Sequence, residues 1–280
     1  MNIEFSIADI VPRRTSVRNF SSQTIEPETI RSIESFVDTV DNPFGRTVRF
    51  YFLDAEELSA QPKLGTYGVI KGATRYIGAS IDDAPFALEA LGYEMETVIL
   101  YLTSLGLGTC WLGGTFSRKA FARAMDVGDS QLFPAITPYG WSKKKKHAKE
   151  HLMRKMIRAD QRKPWDVLFF QNDFDTPLTK KAAGELAFLL DMVRLGPSAS
   201  NKQPWRVLLK DHTLHFFEAK QPGYSDAFAY DIQRIDMGIA AAHLDLAAQE
   251  KNIRGEFDFT GEPALPLPDE WKYAFSWRAD

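Results

Sequence analysis

The chain has 280 residues, 44% of them apolar and 25% charged, with a formal net charge of −3. This is the balance of an ordinary globular protein, and it gives no general attraction to nucleic acid or to an anionic membrane. Cys110 is the only cysteine, so no internal disulfide can form, and no stretch approaches the ~20 apolar residues of a membrane span.

The start, Met1-Asn2-Ile3-Glu4-Phe5, lacks the basic and apolar regions of a signal peptide, so a cytoplasmic protein is expected. The first distinctive stretch is Arg13-Arg14-Thr15-Ser16-Val17-Arg18-Asn19-Phe20. Three guanidiniums and two hydroxyls in six residues read either as a solvated basic face or as a grip for phosphate, to which Arg offers a planar fork of donors. A helix is expected over 27–40, with Pro27 in its first turn, where a missing N–H costs nothing. Strands are expected over 47–53 and 74–81, and a long amphipathic to apolar helix over 84–105.

Gly106-Leu107-Gly108-Thr109-Cys110-Trp111-Leu112-Gly113-Gly114-Thr115-Phe116 follows. Gly106 and Gly108 are expected to end the helix and turn the chain, leaving Gly113 and Gly114 as glycines for close approach to a ligand. The pattern is not a GxGxxG dinucleotide fingerprint. Cys110 reads as a packed small side chain, with no histidine near it in sequence. After an aromatic strand at 138–141, the basic stretch 143–163 reads as a solvated linking helix. His147 and His151 stand four apart on it among lysines, and no metal site is expected there.

Past this joint the order of elements repeats. Residues 163–170 fall beneath 13–20 at a shift of 150, which superposes Val17 on Val167 and Phe20 on Phe170. A helix is expected over 177–194, a strand over 205–210 turning at 211–213 into 214–217, a small-residue-rich helix over 228–250, and an aromatic strand over 274–277. We read this as a tandem duplication with halves 1–160 and 161–280. Each copy has lost something. Arg14, Ser16 and Arg18 face Pro164, Asp166 and Leu168. The first copy has no counterpart to Pro197-Ser198-Ala199-Ser200-Asn201-Lys202-Gln203-Pro204-Trp205, a polar, proline-bracketed loop with Trp205 as core anchor.

Together Arg14-x-Ser16-x-Arg18, the 106–116 segment and Pro197-Ser198-x-x-Asn201-x-Gln203-Pro204-Trp205 resemble the FMN-dependent nitroreductase family, and specifically its fused branch described as TM-type nitroreductases. The resemblance implies an α+β nitroreductase-like fold: two tandem units of mixed sheet plus helices in one chain, forming an intrachain pseudo-dimer with the two long helices at its core. It implies FMN held without a covalent bond. Arg14, Ser16 and Arg18 would hold the phosphate, Thr15 and Arg13 assisting. Pro197, Ser198 and Asn201 would contact the ring, Gly113 and Gly114 would border it, and Arg162 would reach it from the end of the first half. NADH or NADPH would be the electron donor, an electron-poor small molecule the acceptor, and the chain a monomer binding neither nucleic acid nor membrane. No catalytic acid or base is implied. The alternative is a flavin-binding or flavin-storage protein without turnover.

Overall fold

The computed structural model describes residues 3–57, 64–143, 158 and 161–280. The chain divides into two compact units, Met1–Phe5 with Pro12–Ala159, and Ser6–Val11 with Asp160–Asp280. The basic stretch 143–163 lies largely outside the described residues, including His147 and His151. Among the described residues no helix is long and apolar enough to cross a membrane, and no three or more His, Cys, Asp or Glu cluster as metal ligands.

In the first unit, α2 (Pro27–Val37) starts with Pro27 at the expected position and stops three residues short of the expected end. The sheet takes β1 (Arg49–Asp54), β2 (Arg75–Asp82), β3 (Gly108–Thr109) and β4 (Gln131–Gly140) in the order β1-β2-β4-β3, every pair antiparallel. Among the described residues of this unit, parallel pairing appears only as single bridges, Ser16 to Thr109 and Asn19 to Lys71. A short helix, α4 (Arg118–Ala124), joins β3 to β4. The long helix α3 (Ala87–Ser104) is buried along almost its whole surface, as its apolar sequence requires. It ends in a Schellman turn: Leu107 N–H donates to Leu102 O, Gly106 N–H donates to Thr103 O, and Gly106 takes φ +79°. Gly106 thus ends the helix as expected. Gly108 does not take part; it lies extended in β3.

The same helix also buries Glu89, Glu94 and Glu96, which its apolar periodicity did not suggest. Glu94 accepts a hydrogen bond from Asn42 Nδ2, and burial pushes its carboxyl up to about 8. Cys110 is packed in the core with Phe20, Leu112, Phe116 and Phe121.

In the second unit a single turn of helix, α5 (Trp165–Leu168), leads into β5 (Phe169–Gln171). The sheet order is β5-β6-β7-β9-β8, with β6 (Trp205–Lys210), β7 (Thr213–Ala219), β8 (Gly255–Asp258) and β9 (Trp271–Ala279). β5 runs parallel to β6 and the other pairs are antiparallel, which makes this sheet mixed. The helix expected over 177–194 is broken in two. Pro177 bridges back to Phe170, so it is not a helix start. Thr179 Oγ1 caps α6 (Lys180–Ala183) by accepting Ala182 N–H. Gly184, at φ +56°, ends it before α7 (Leu186–Leu195). The small-residue helix α8 (Gln233–Lys251) begins five residues later than expected, after a loop in which Asp231 accepts from Ser225 Oγ and Gln233 N–H. Trp205 is fully buried, as an anchor should be.

The first helix, α1 (Ile7–Arg13), contributes Ser6–Val11 to the second unit. Its N-terminal amides, Ile7 N–H and Ala8 N–H, donate to the Glu250 carboxylate near the end of α8. A carboxylate at this position satisfies orphan donors and complements the helix dipole.

Candidate functional site

In the first unit the segment after Arg13 leaves the helix and threads along the sheet. Val17 N–H donates to Thr109 O at 2.7 Å, Lys71 N–H to Arg18 O at 2.9 Å, and Phe20 N–H to Lys71 O at 2.8 Å. Gly108 makes this docking possible. A Cβ there would stand 2.8–2.9 Å from the Val17 side chain. The structure therefore brings the basic segment against the glycine-containing segment, two stretches 90 residues apart in sequence that were chosen independently.

The arginines then separate. Arg13 and Thr15 are exposed and Ser16 is half-buried, whereas Arg14 and Arg18 are only 8% and 7% accessible. That burial excludes a solvated basic face for those two. Arg14 Nε lies 3.7 Å from Glu96 Oε1, and Glu96 Oε2 accepts Trp111 Nε1–H at 2.7 Å. One fully buried carboxylate on α3 thus fastens the basic segment to the glycine segment. Arg18 differs. Its Nη1 makes one long bond to Ser16 O, at 3.4 Å, its Nε has no hydrogen-bond partner, and no carboxylate pairs with it among the described residues. A buried guanidinium left in this state is costly unless an anion completes it.

Gly113 and Gly114 lie just beyond Leu112, which pairs with Ile136 through two backbone bonds of 2.9 and 3.0 Å. Neither glycine takes a positive φ. Arg118, which the sequence reading missed, holds this stretch in shape. It donates to Gly113 O at 2.6 Å, Phe133 O at 2.8 Å and Pro134 O at 3.2 Å, with its guanidinium over the Phe116 ring. A signal was present: an arginine in the first turn of a helix opposes the dipole and needs another purpose.

In the second unit the loop after α7 is shaped by three residues with positive φ, Ser200 (49°), Asn201 (57°) and Gln203 (47°). Non-glycine residues persist there only when their surroundings over-determine them. The restraints are visible. Ser198, next to the half-buried Pro197, accepts Gln203 N–H on its Oγ at 2.8 Å and Asn201 N–H on its carbonyl at 2.9 Å. Ala199 N–H donates to Asp236 Oδ1 at 2.9 Å, and Tyr224 donates its hydroxyl to Ser200 Oγ. Burial holds the Asp236 carboxyl well above the usual range, opposed by the Ala199 amide. Asn201 Oδ1 accepts from Arg162 Nη1 at 3.1 Å and from Gln203 Nε2 at 3.2 Å, while its Nδ2 donates to Gln161 O. Arg162 also donates to Leu195 O. Arg162, Ser198 and Asn201, chosen separately in the sequence, thus form one network, and the Asn201 side chain orients Arg162.

Lys163 belongs to the same network. Its N–H donates to Gln203 Oε1, while its Nζ and Arg206 Nη1 both reach the Gln203 carbonyl, at 3.3 and 3.1 Å. Burial, then the Arg206 and Lys202 charges, push the Lys163 ammonium down to about 8. Burial pushes Arg206 down to about 10. This face of the second unit is electropositive, and its chemistry suits an anion or an electron-rich carbonyl.

The family described as "Putative TM nitroreductase" matches residues 6–248. A "putative nitroreductase" of Thermotoga maritima has the same fold, with a TM-score of 0.60 and 19% identity over 100% of this chain and 95% of that one. An FMN-dependent nitroreductase of Clostridium difficile (20% identity, TM-score 0.41) covers 53% of this chain with 95% of its own. A nitroreductase with bound FMN from Desulfitobacterium hafniense (18% identity, TM-score 0.41) covers 51% with 93%. No curated protein sequence matches this one. With the family matched over most of its length and the T. maritima fold shared end to end, the chain belongs to the TM-type nitroreductase family, a family of oxidoreductases.

Proposed function

We propose that this protein is an FMN-dependent oxidoreductase. In this reading Arg18, with Arg14, Ser16, Thr15 and Arg13, takes the flavin phosphate. Gly113 and Gly114 border the ring, and Pro197, Ser198, Asn201 and Arg162 complete its surroundings. The single observation that supports it best is Arg18, a buried cation with no carboxylate partner among the described residues. A phosphate dianion supplies what that guanidinium lacks. Bound FMN supplies hydride and electron transfer from NADH or NADPH to an electron-poor acceptor in a ping-pong cycle. The chain's own part is to bind, orient and surround the cofactor; its donors stabilise negative charge near the ring.

We further infer one FMN per monomeric chain. The duplicated copy carries Pro164, Asp166 and Leu168 where the first has Arg14, Ser16 and Arg18, and an aspartate repels a phosphate. The test is the flavin released per chain from the purified protein, followed by anaerobic titration with NADH and NADPH. About one equivalent of FMN and bleaching by either donor is the expected result. Two equivalents overturn the stoichiometry. One equivalent without bleaching moves the assignment to flavin storage.

A further inference from the structure

The loop 197–205 of the second unit is tied from two directions, and one of the ties is an acid that the flavin assignments leave unused. Asp236 stands in the first turn of α8 and is 2% accessible. Its Oδ1 accepts Ala199 N–H at 2.9 Å, and its Oδ2 has no hydrogen-bond partner among the described residues. Ala199 opens a single turn, Ala199–Asn201, in which Ser200 and Asn201 both take positive φ. The Asp236 bond therefore holds the backbone where it enters its strained stretch, and such strain persists only under restraint. The other ties, from Asn201 to Gln161 and Arg162 and from Gln203 to Lys163, fix the far end of that stretch.

The surroundings of this carboxyl favour its neutral form. Glu218, fully buried on β7, and Asp231, in the loop before α8, lie near enough to disfavour its charge. The cations of this region are engaged with those two acids: Arg234 reaches Glu218 at 3.4 Å and Lys220 reaches Asp231 at 2.6 Å. Asp236 itself has no ion pair among the described residues. Tyr224 is also close, with its hydroxyl on Ser200 Oγ and its own ionisation opposed by Asp236. The N-terminus of α8 favours a negative charge, but full burial beside two acids outweighs it and holds the carboxyl well above the usual range. A neutral carboxyl still accepts an amide hydrogen bond through its carbonyl oxygen.

We propose that neutral Asp236 is a positioning residue for the loop that carries Ser198 and Asn201, holding it through the Ala199 amide and releasing it on ionisation. The link to catalysis rests on the flavin reading above, in which this loop borders the ring. A carboxyl that binds its proton more tightly with the loop seated favours the seated loop at low pH. That advantage is lost as pH rises through the raised value.

Hydrogen exchange of the peptide 197–204, corrected for the intrinsic amide rate, tests this in the full chain across about pH 6–9. The proteins compared are the wild type, Asp236→Asn and Asp236→Leu. Asparagine is the uncharged counterpart of a protonated aspartate and keeps the acceptor, whereas leucine fills the space without one. Asp236→Asn is expected to protect the loop like the wild type at low pH, and to keep that protection where the wild type loses it. Lys163 and Glu218 titrate in the same range in both proteins, so the difference between the two profiles belongs to Asp236. Asp236→Leu is expected to lose protection over 197–204 at every pH while the buried strand β6 keeps its own. Asparagine as damaging as leucine, leucine without effect on the loop, or parallel profiles in the wild type and Asp236→Asn overturns the proposal. Should the leucine variant fail to fold, the comparison with Asp236→Asn decides alone. Titration of FMN into the flavin-stripped proteins at pH 7 then tests the link to the cofactor. Asp236→Leu is expected to bind about two- to tenfold more weakly, the loss of one neutral hydrogen bond. Lost loop protection with unchanged FMN affinity keeps Asp236 as the holder of the loop and sinks the place of that loop in the flavin site.

Discussion

Replacing Arg18 with methionine should move two properties in opposite directions. Arg18 is 7% accessible, and among the described residues its side chain makes a single bond of 3.4 Å and leaves Nε without a hydrogen-bond partner. In the protein without flavin this is an uncompensated buried charge, and an unsatisfied buried polar group costs about 1–3 kcal/mol. Methionine fills similar space without the charge, so the flavin-free protein should be more stable by about 1 kcal/mol. For a domain of this size that raises the thermal midpoint by about 2–4 °C. FMN affinity should move the other way. Losing a charge-assisted bond to phosphate costs about 1.5–3 kcal/mol, roughly a 10- to 150-fold weaker Kd. Riboflavin has no phosphate, so its affinity should hardly change. Calorimetry of the flavin-free variant, with titration of FMN and riboflavin, measures all three quantities. Lower stability without flavin, or riboflavin weakened as much as FMN, would refute the assignment of Arg18 to phosphate.

On the proposed reading, Asn201→Ala should weaken FMN and riboflavin alike, by about 0.5–1.5 kcal/mol, since Asn201 accepts from Arg162 and Gln203 through 3.1 and 3.2 Å bonds; affinities that do not move for either flavin would refute the role proposed for Asn201. Stability should depend on pH through groups that flavin does not need. Glu94 titrates near 8 when folded against 4.5 in its ordinary state, and Glu218 near 7, both through burial. The folded state therefore binds more protons than the unfolded one between these values, and stability is full below about 4.5 and lost as pH rises through 7–8. Lys163, at about 8 against 10.5, has the opposite sign, and stability returns as pH rises above 8. Glu94→Gln should flatten the acid limb of this curve and leave the alkaline limb intact, as denaturant unfolding across pH 4–10 would show; an unchanged acid limb would contradict the burial argument.

The segments proposed to carry chemistry stand out in the sequence because unusual residue types are concentrated in them. Arg14-x-Ser16-x-Arg18 and the loop 197–205 stand out from any generic α/β pattern, and strand and helix positions followed from β-branched runs and apolar periodicity. Three things were not legible. Periodicity could not show that the apolar helix α3 buries Glu96, because an acid that is satisfied by a distant Arg14 and Trp111 leaves no local mark. The break at Gly184 was overridden in the sequence reading by the alignment of Pro177 with Pro27, although Thr179 and Gly184 are ordinary cap residues. The role of Gly108 was misplaced because its constraint comes from Val17, a contact across the fold and not along the chain.

The grouping of Ser6–Val11 with the second unit has a consequence for how the chain is made. Ile7, Ile10 and Val11 are at most 5% accessible in the finished protein, and the amide of Ile7 is satisfied by Glu250, 243 positions later. At about 5–20 residues per second, a ribosome needs roughly 12–50 s to supply that partner. Through that interval the segment carries three uncovered aliphatic side chains and a helix start without its carboxylate. The first unit can assemble its sheet while nascent, but Ser6–Val11 has to wait for α8. A chain cut at the joint near residue 160 would leave that segment permanently without its partner.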